Sequence, residues 1–302
     1  MFRPPVCYRF KTITLRADCV TLKAILTKLT GVTMTTNAAT AGQVSKSAAE
    51  IYDEFFVPAL FGQWAGPLCD AADIQPGHDV LDVACGTGAT TREAARRMAR
   101  KGRIVGLDRN QGMLDVARSR APGIEWVEAV AEGIPYAGDT FHTVLCQFGL
   151  MFFDDRKKAL DEMMRVLRPD GRIALSVWDD VANSPGYADM IELIAAMFGK
   201  EAAAALQAPF ILGNKQELRQ VMEDGGLAKA NVTTMTGTAR FASIRDWVRM
   251  DVRGWTLADY IDDAGFEALV AAAEKQLGRF AASDGSVAFP APAHMAVWDS
   301  SP

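Results

Sequence analysis

Val80-Leu81-Asp82-Val83-Ala84-Cys85-Gly86-Thr87-Gly88 constrains the fold of this chain more than any other stretch. A short apolar run carrying one acid empties into a loop of small residues, and a helix-compatible segment follows. Such a run reads as a strand buried on both faces, as in parallel sheets. Gly86 and Gly88 permit a tight turn and a close backbone approach that a Cβ would obstruct. A helix beginning near Ala89 would aim its free amides at whatever sits over the loop. The same alternation continues downstream. Strands are expected near 79–84, 103–107, 124–128, 143–147 and 172–178, with helices near 89–100, 111–119 and 155–167. Strict β/α alternation implies an α/β fold with a doubly wound parallel sheet and right-handed crossovers.

The flanks differ from this core. Ser47-Ala48-Ala49-Glu50 has capping-box spacing, so N-terminal helices are expected from there, broken or restarted at Pro58. Pro169-Asp170-Gly171 reads as a turn into the fifth strand. Beyond Trp178, helical patterns cover 186–206 and 214–225, and a β-prone segment covers 231–241. Helices near 243–250 and 263–281 and a strand-like stretch at 287–298 complete the chain. The expected architecture is a Rossmann-like sheet, mostly parallel, with a final antiparallel strand and a helical insertion before it. Residues 46–302 are expected to form one domain, with its core at 75–180 and a C-terminal substrate and lid region at 181–302. Residues 1–45 are expected to be a disordered extension. Their first 33 residues are basic, acid-poor and threonine-rich, superficially like a transit peptide; a translation start at Met34 is the plainer reading.

Charge and cysteine content narrow the function. Of 32 basic and 37 acidic residues, six and one fall in 1–33, leaving 26 and 36 in 34–302, a net of −10. So acidic a body argues against a nucleic-acid partner, because phosphate backbones need clustered Lys and Arg. No apolar run is long enough to span a membrane. Five cysteines without a Cys-x-x-Cys pair suggest neither a zinc site nor a disulfide framework, and fit a reducing cytoplasm. No metal is expected, and the oligomeric state stays open.

Three ligand families use glycine loops of this kind. The Walker loop needs a lysine after its last glycine, and none follows here. The NAD fingerprint needs a third glycine, and Gly86-Thr87-Gly88-Ala89-Thr90-Thr91 lacks it. Two glycines alone also serve plain structural turns. Ile104-Val105-Gly106-Leu107-Asp108 adds a second buried strand ending in an acid, 20 residues past Gly88, where a carboxylate can accept both ribose hydroxyls; the bland alternative is an aspartate capping the next helix. Asp82, inside a strand, would be costly unpaired. It is expected to accept from loop amides near a cationic ligand group.

Taken with Gly112-Met113-Leu114, Ala131-Glu132-Gly133-Ile134-Pro135-Tyr136, the run Leu145–Phe153 and Met164–Gly171, this pattern resembles the class I S-adenosylmethionine (SAM) methyltransferases. Specifically it resembles their ubiquinone/menaquinone C-methyltransferase-like small-molecule branch, continuously over about 47–180. The resemblance implies that Ala84, Cys85, Gly86 and Gly88, with Asp82, surround the methionine part of SAM, and that Asp108, beside Arg109, holds the ribose. It implies that Met113 packs on the adenine and that Ala131 and Glu132 meet its edge. Cys146 and Gln147 would lie near the amino group and the transferable methyl. Two positions depart from the family pattern: Ala84 stands where glycine is usual, and Val130 where an aspartate commonly accepts from the adenine amine.

Methyl transfer from a sulfonium is an in-line displacement on an activated carbon, so orientation and water exclusion supply much of the rate. A base is needed only for a phenol or enol acceptor. Tyr52, Glu132 and Gln147 are the candidates for assisting residues, while His78, His142 and His294 read as structural or surface groups. Tyr52, Phe56, Trp64, Phe148, Met151, Trp178, Trp247 and Trp255 are expected to line an apolar acceptor pocket, with Trp247, Met250 and Trp255 forming a lid. The implied activity is SAM-dependent methylation of a small, apolar or aromatic acceptor at O, N or C. An NAD(P)-dependent oxidoreductase and a non-catalytic SAM-binding protein are the alternatives.

Overall fold

The computed structural model describes residues 46–99, 101–254 and 256–300. The extension expected at 1–45, its start at Met34, and Trp255 lie outside the described residues. Helix α1 (Lys46–Ile51) runs without interruption through a π-helical stretch, Tyr52–Phe61, into α2 (Gly62–Ala71). Pro58 therefore does not break the helix as expected. The wider winding absorbs it, and the Gly62 N–H reaches back to the Val57 carbonyl. Because the helix already includes Lys46, Ser47 lies inside it and not at a cap position.

The core alternates as the sequence implies: β1 (Val80–Val83), α3 (Ala89–Arg97), β2 (Ile104–Asp108), α4 (Gln111–Arg120), β3 (Glu125–Glu128), β4 (Phe141–Gln147), α5 (Arg156–Val166) and β5 (Leu167–Trp178). All four residues of β1 are buried, as a strand covered by helices on both faces requires. Along β5, a two-residue step on β4 (Phe141 to Thr143) is matched by a five-residue step (Leu167 to Arg172). The turn expected at Pro169-Asp170-Gly171 is thus a bulge within a longer strand, where Pro169 needs no ladder N–H.

After β5 come α6 (Pro185–Phe198), α7 (Lys200–Gln207), α8 (Lys215–Asp224), β6 (Asn231–Met235), β7 (Thr238–Phe241), α9 (Ile244–Arg253), α10 (Asp263–Gln276), β8 (Val287–Pro290) and β9 (Ala293–Asp299). The single helix expected at 186–206 is split at Gly199, whose φ of 89° ends α6. The two β-prone segments are each split as well. β6 and β9 complete the main sheet, while β7 and β8 pair in a separate two-stranded ladder. The splits fall at Gly237, where a Cβ would lie 2.2 Å from the Trp64 ring, and at Ala291-Pro292, just ahead of β9.

The seven-stranded order is β3-β2-β1-β4-β5-β9-β6. β1 pairs parallel with β2 and β4, and β9 lies antiparallel between β5 and β6. The sheet is therefore mostly parallel with one reversed strand, and its order turns at β1, where open α/β sheets bind ligands beyond the strand ends. No helix among the described residues is long and apolar enough to cross a membrane.

Candidate active site

The loop after β1 is a run of left-handed backbone: Ala84, Gly86 and Gly88 have φ of 56°, 55° and 80°. Glycine adopts this conformation without penalty, whereas an alanine at such a position costs about 1–2 kcal/mol. That accounts for glycine being usual at the Ala84 position. The loop is tied to β2 by Asp108, whose two carboxylate oxygens accept from Gly86 N and Asn110 N, each at 2.8 Å. Asn110, not Asp108, caps α4, accepting from Met113 N at 3.1 Å. Gly88 precedes α3, and no side chain caps that helix, so its first-turn amides face the loop.

A cavity of about 330 Å³ opens here, lined by Tyr52, Phe61, Asp82, the 84–87 loop, Thr90 and Gln147. Three buried polar atoms on its walls lack a hydrogen-bond partner: Asp82 Oδ1, Thr87 Oγ1 and Gln147 Oε1. Asp82 does not accept from loop amides, as the sequence suggested, but from the Thr91 hydroxyl at 2.6 Å. Burial raises its carboxyl to about 7; the Thr91 bond opposes this and the nearby Asp108 charge adds to it. Thr91 occupies the position of the missing third glycine and is fully buried with its hydroxyl committed to Asp82. Gln147 donates to the Phe61 carbonyl at 3.3 Å, which leaves its oxygen for the cavity. A Cβ added to Gly86 would point into this space, 3.9 Å from the Tyr52 ring.

An α-amino acid group suits this set. Asp82 and Gln147 offer acceptors to an ammonium, and Thr87 with the α3 amides offers donors to a carboxylate. Asp108 stands where a ribose diol can be held. The residues present therefore fit the methionine and ribose parts of SAM.

Arg109, Met113, Ala131, Glu132 and Cys146, also expected at the cofactor, do not line this cavity. The Cys146 side chain is buried in the main core. Burial pushes its thiol up to about 12 and raises that of Cys85 as well, which removes both as nucleophiles. Glu132 accepts from Asp154 N and Asp155 N, so its carboxylate holds a turn and is not a base facing the cavity. Arg109 pairs with Asp154 at 3.6 Å. Met113 packs with Ala49 and Val116 against Tyr52. Ala131 is buried and Val130 exposed. Val57, Phe61 and Thr90 line the cavity without being expected there; Thr90 sits in the first turn of the helix after the loop, where its hydroxyl is the available signal.

A second, aromatic pocket adjoins the first across Phe61, which lines both. Phe56, Phe148 and Trp178 line it as expected, joined by Leu60, Phe152, Tyr187, Leu206, Phe210 and Asp251. Phe148 holds a left-handed backbone, φ 55°, just past β4 and stacks on Trp178 at 4.0 Å and 11°. Trp64, Met151, Trp247 and Met250 are buried behind this wall and do not line it, so the expected lid tryptophan is a core residue. Trp64 packs edge-on against both Phe148 and Trp178. Trp247 stacks on Phe241 and fills the space around Phe289. Tyr52 lines the loop cavity instead, and burial raises its hydroxyl far above the ordinary range, which disfavours it as a base. The histidines are structural: His78 stacks on His142, and His294 is buried between Thr234, Gly213 and Asp179.

Sheet order, glycine loop and strand-end acid together define a Rossmann-like α/β fold. Residues 80–171 match the family described as methyltransferase domain. It is 39% identical over 133 residues to the 2-phytyl-1,4-naphthoquinone methyltransferase of Thermosynechococcus vestitus, covering 42% of this chain and 59% of that protein. It is 29% identical over 214 residues to the ubiquinone/menaquinone biosynthesis C-methyltransferase UbiE of Cronobacter sakazakii, covering 65% of this chain and 85% of that protein. The chain thus spans about three fifths of the first relative and most of the second. Among solved structures it resembles the YcgJ protein of Bacillus subtilis, with a TM-score of 0.53, 18% identity, and coverage of 78% and 98% of the two chains. It also resembles a Haemonchus contortus phosphoethanolamine N-methyltransferase holding S-adenosylhomocysteine, with a TM-score of 0.53, 16% identity, and coverage of 84% and 57%.

Proposed function

We propose that this chain is a SAM-dependent methyltransferase acting on an apolar ring compound of the quinol class, with transfer to ring carbon. The observation that carries the reading is the pair of adjoining cavities: one with three orphaned polar atoms around a glycine loop, the other walled by aromatic rings, with Phe61 between them. The names of the two curated relatives, both quinone methyltransferases, supply the acceptor class. When bound, SAM supplies the activated methyl. The chain's own residues bind and orient: Asp82, Thr87 and Gln147 hold the amino acid end, and Asp108 holds the ribose. Phe148 and Trp178 offer flat faces that align a ring and exclude water. A net charge of −10 over 34–302 supports a small-molecule acceptor over nucleic acid.

The decisive test is incubation with methyl-labelled SAM and 2-phytyl-1,4-naphthoquinone reduced by dithionite, because only the reduced ring is electron-rich enough to attack a methyl group. Label on a ring carbon is expected. Tight S-adenosylhomocysteine binding with no transfer to any quinol would instead favour a non-catalytic role, and binding of NADH in its place would favour the oxidoreductase.

Asp82 gives this reading a pH signature. With its folded value raised to about 7, Asp82 favours the folded state most below the ordinary carboxyl range, and that contribution is lost as pH rises through 7. Pairing with a cofactor ammonium requires the ionised form. S-adenosylhomocysteine affinity is therefore expected to rise about tenfold from pH 6 to pH 8. Asp82→Asn should flatten the slope while losing no stability at pH 8. An unchanged slope in titration calorimetry would remove Asp82 from the ammonium site.

A further inference from the structure

The aromatic cavity is walled by apolar side chains and the Tyr187 ring, and Asp251 is the one acid among its described lining residues. Asp251 is 3% exposed, and its Oδ2 has no hydrogen-bond partner. Trp247, one turn earlier on α9, bears on the carboxyl, yet its indole N–H also lacks a well-formed bond. Among the described residues no ion pair reaches Asp251. Burial holds the carboxyl well above the usual range, which favours its neutral form, and burial likewise raises the neighbouring Tyr187 hydroxyl. Packing does not call for an acid here. Ile244, Trp247 and Val248 form the buried face of the same helix, and an apolar residue at 251 would continue it. A buried carboxyl with an open oxygen on the wall of a cavity is costly unless a ligand completes it.

We infer that Asp251 is the polar anchor of the acceptor cavity, donating a hydrogen bond to a ring oxygen of the acceptor and thereby selecting oxygenated rings. This rests on the reading of the cavity as an aromatic acceptor site. A neutral acid suits the task, since it can donate to a carbonyl or hydroxyl oxygen without bringing a charge into an apolar chamber.

The test compares two probes of nearly equal shape, 1-naphthol and 1-methylnaphthalene, by equilibrium dialysis against the full chain with S-adenosylhomocysteine bound. The ratio of the two dissociation constants isolates the oxygen. Asp251→Leu is expected to shift that ratio at least tenfold against 1-naphthol, while Asp251→Asn, which still donates, should keep it within threefold of wild type. S-adenosylhomocysteine affinity reports that each variant is folded, because Asp251 does not line the cofactor cavity. Should leucine not be tolerated, Asp251→Ala supplies the same ratio. A ratio unmoved by removal of the carboxyl overturns the anchor and leaves the acceptor reading intact. If wild type binds S-adenosylhomocysteine but neither probe, the aromatic-acceptor reading fails and the anchor with it.

Discussion

Gly86→Val is expected to raise the dissociation constant for S-adenosylhomocysteine at least about 100-fold, a loss near 2.7 kcal/mol, while the protein stays folded. The space beyond the Gly86 Cα is the cavity itself: an added Cβ would meet nothing nearer than the Tyr52 ring at 3.9 Å. Valine there would fill the chamber. It would also hold a left-handed backbone, φ 55°, at a cost of about 1–2 kcal/mol. A fall of a few degrees in Tm should accompany the lost binding. The neighbouring glycine gives the contrast. A Cβ on Gly88 would lie 2.3 Å from the Trp126 ring, so Gly88→Val should disrupt the packing of the loop on β3 and lower stability far more. Titration calorimetry with thermal denaturation separates the two. Unchanged affinity in folded Gly86→Val would remove the loop cavity as the cofactor site.

Asp108→Ala is the second large effect. Its carboxylate accepts from two backbone amides, Gly86 N and Asn110 N, in a site 8% exposed. Charged hydrogen bonds contribute about 1.5–3 kcal/mol, and the amides left behind carry a desolvation cost. A stability loss of about 2–4 kcal/mol is expected by denaturant titration. S-adenosylhomocysteine affinity should fall roughly 10- to 100-fold, since in the proposed site one residue fixes the loop and would also hold the ribose. Asp108→Asn, able to accept one amide, should fall between. A folded Asp108→Ala protein with wild-type affinity would leave the acid a loop tie only.

The proposed cofactor half of this site is legible in the chain because it is local. A strand, its small-residue loop and the next strand's terminal acid lie within 29 residues, Val80 to Asp108, and each element announces itself by composition. The acceptor half is not local. Leu60, Phe61, Tyr187, Leu206 and Phe210 come from the first helices and from the region after β5, and only tertiary packing brings them together. Large aromatics are also poor markers of a pocket. Trp64 and Trp247 carry the same signal as Trp178, yet are consumed by the core. Asp251 leaves a trace in the chain: it occupies the helical position four beyond Trp247, where the apolar stripe of α9 calls for another apolar residue. Pro58 misled for the opposite reason. A local rule predicts a break, but the packed faces on either side, Phe56 and Phe61 among them, hold the helix together and make it widen.

Phe61 gives the two chambers a common wall: its ring borders both, and its carbonyl is held by Gln147. The occupants of those chambers therefore share a coordinate. Any ring position that favours one occupant is felt by the other, and thermodynamic reciprocity makes the coupling equal in both directions. In the proposed two-substrate site, this side chain would therefore couple the arrival of donor and acceptor and the release of the spent donor.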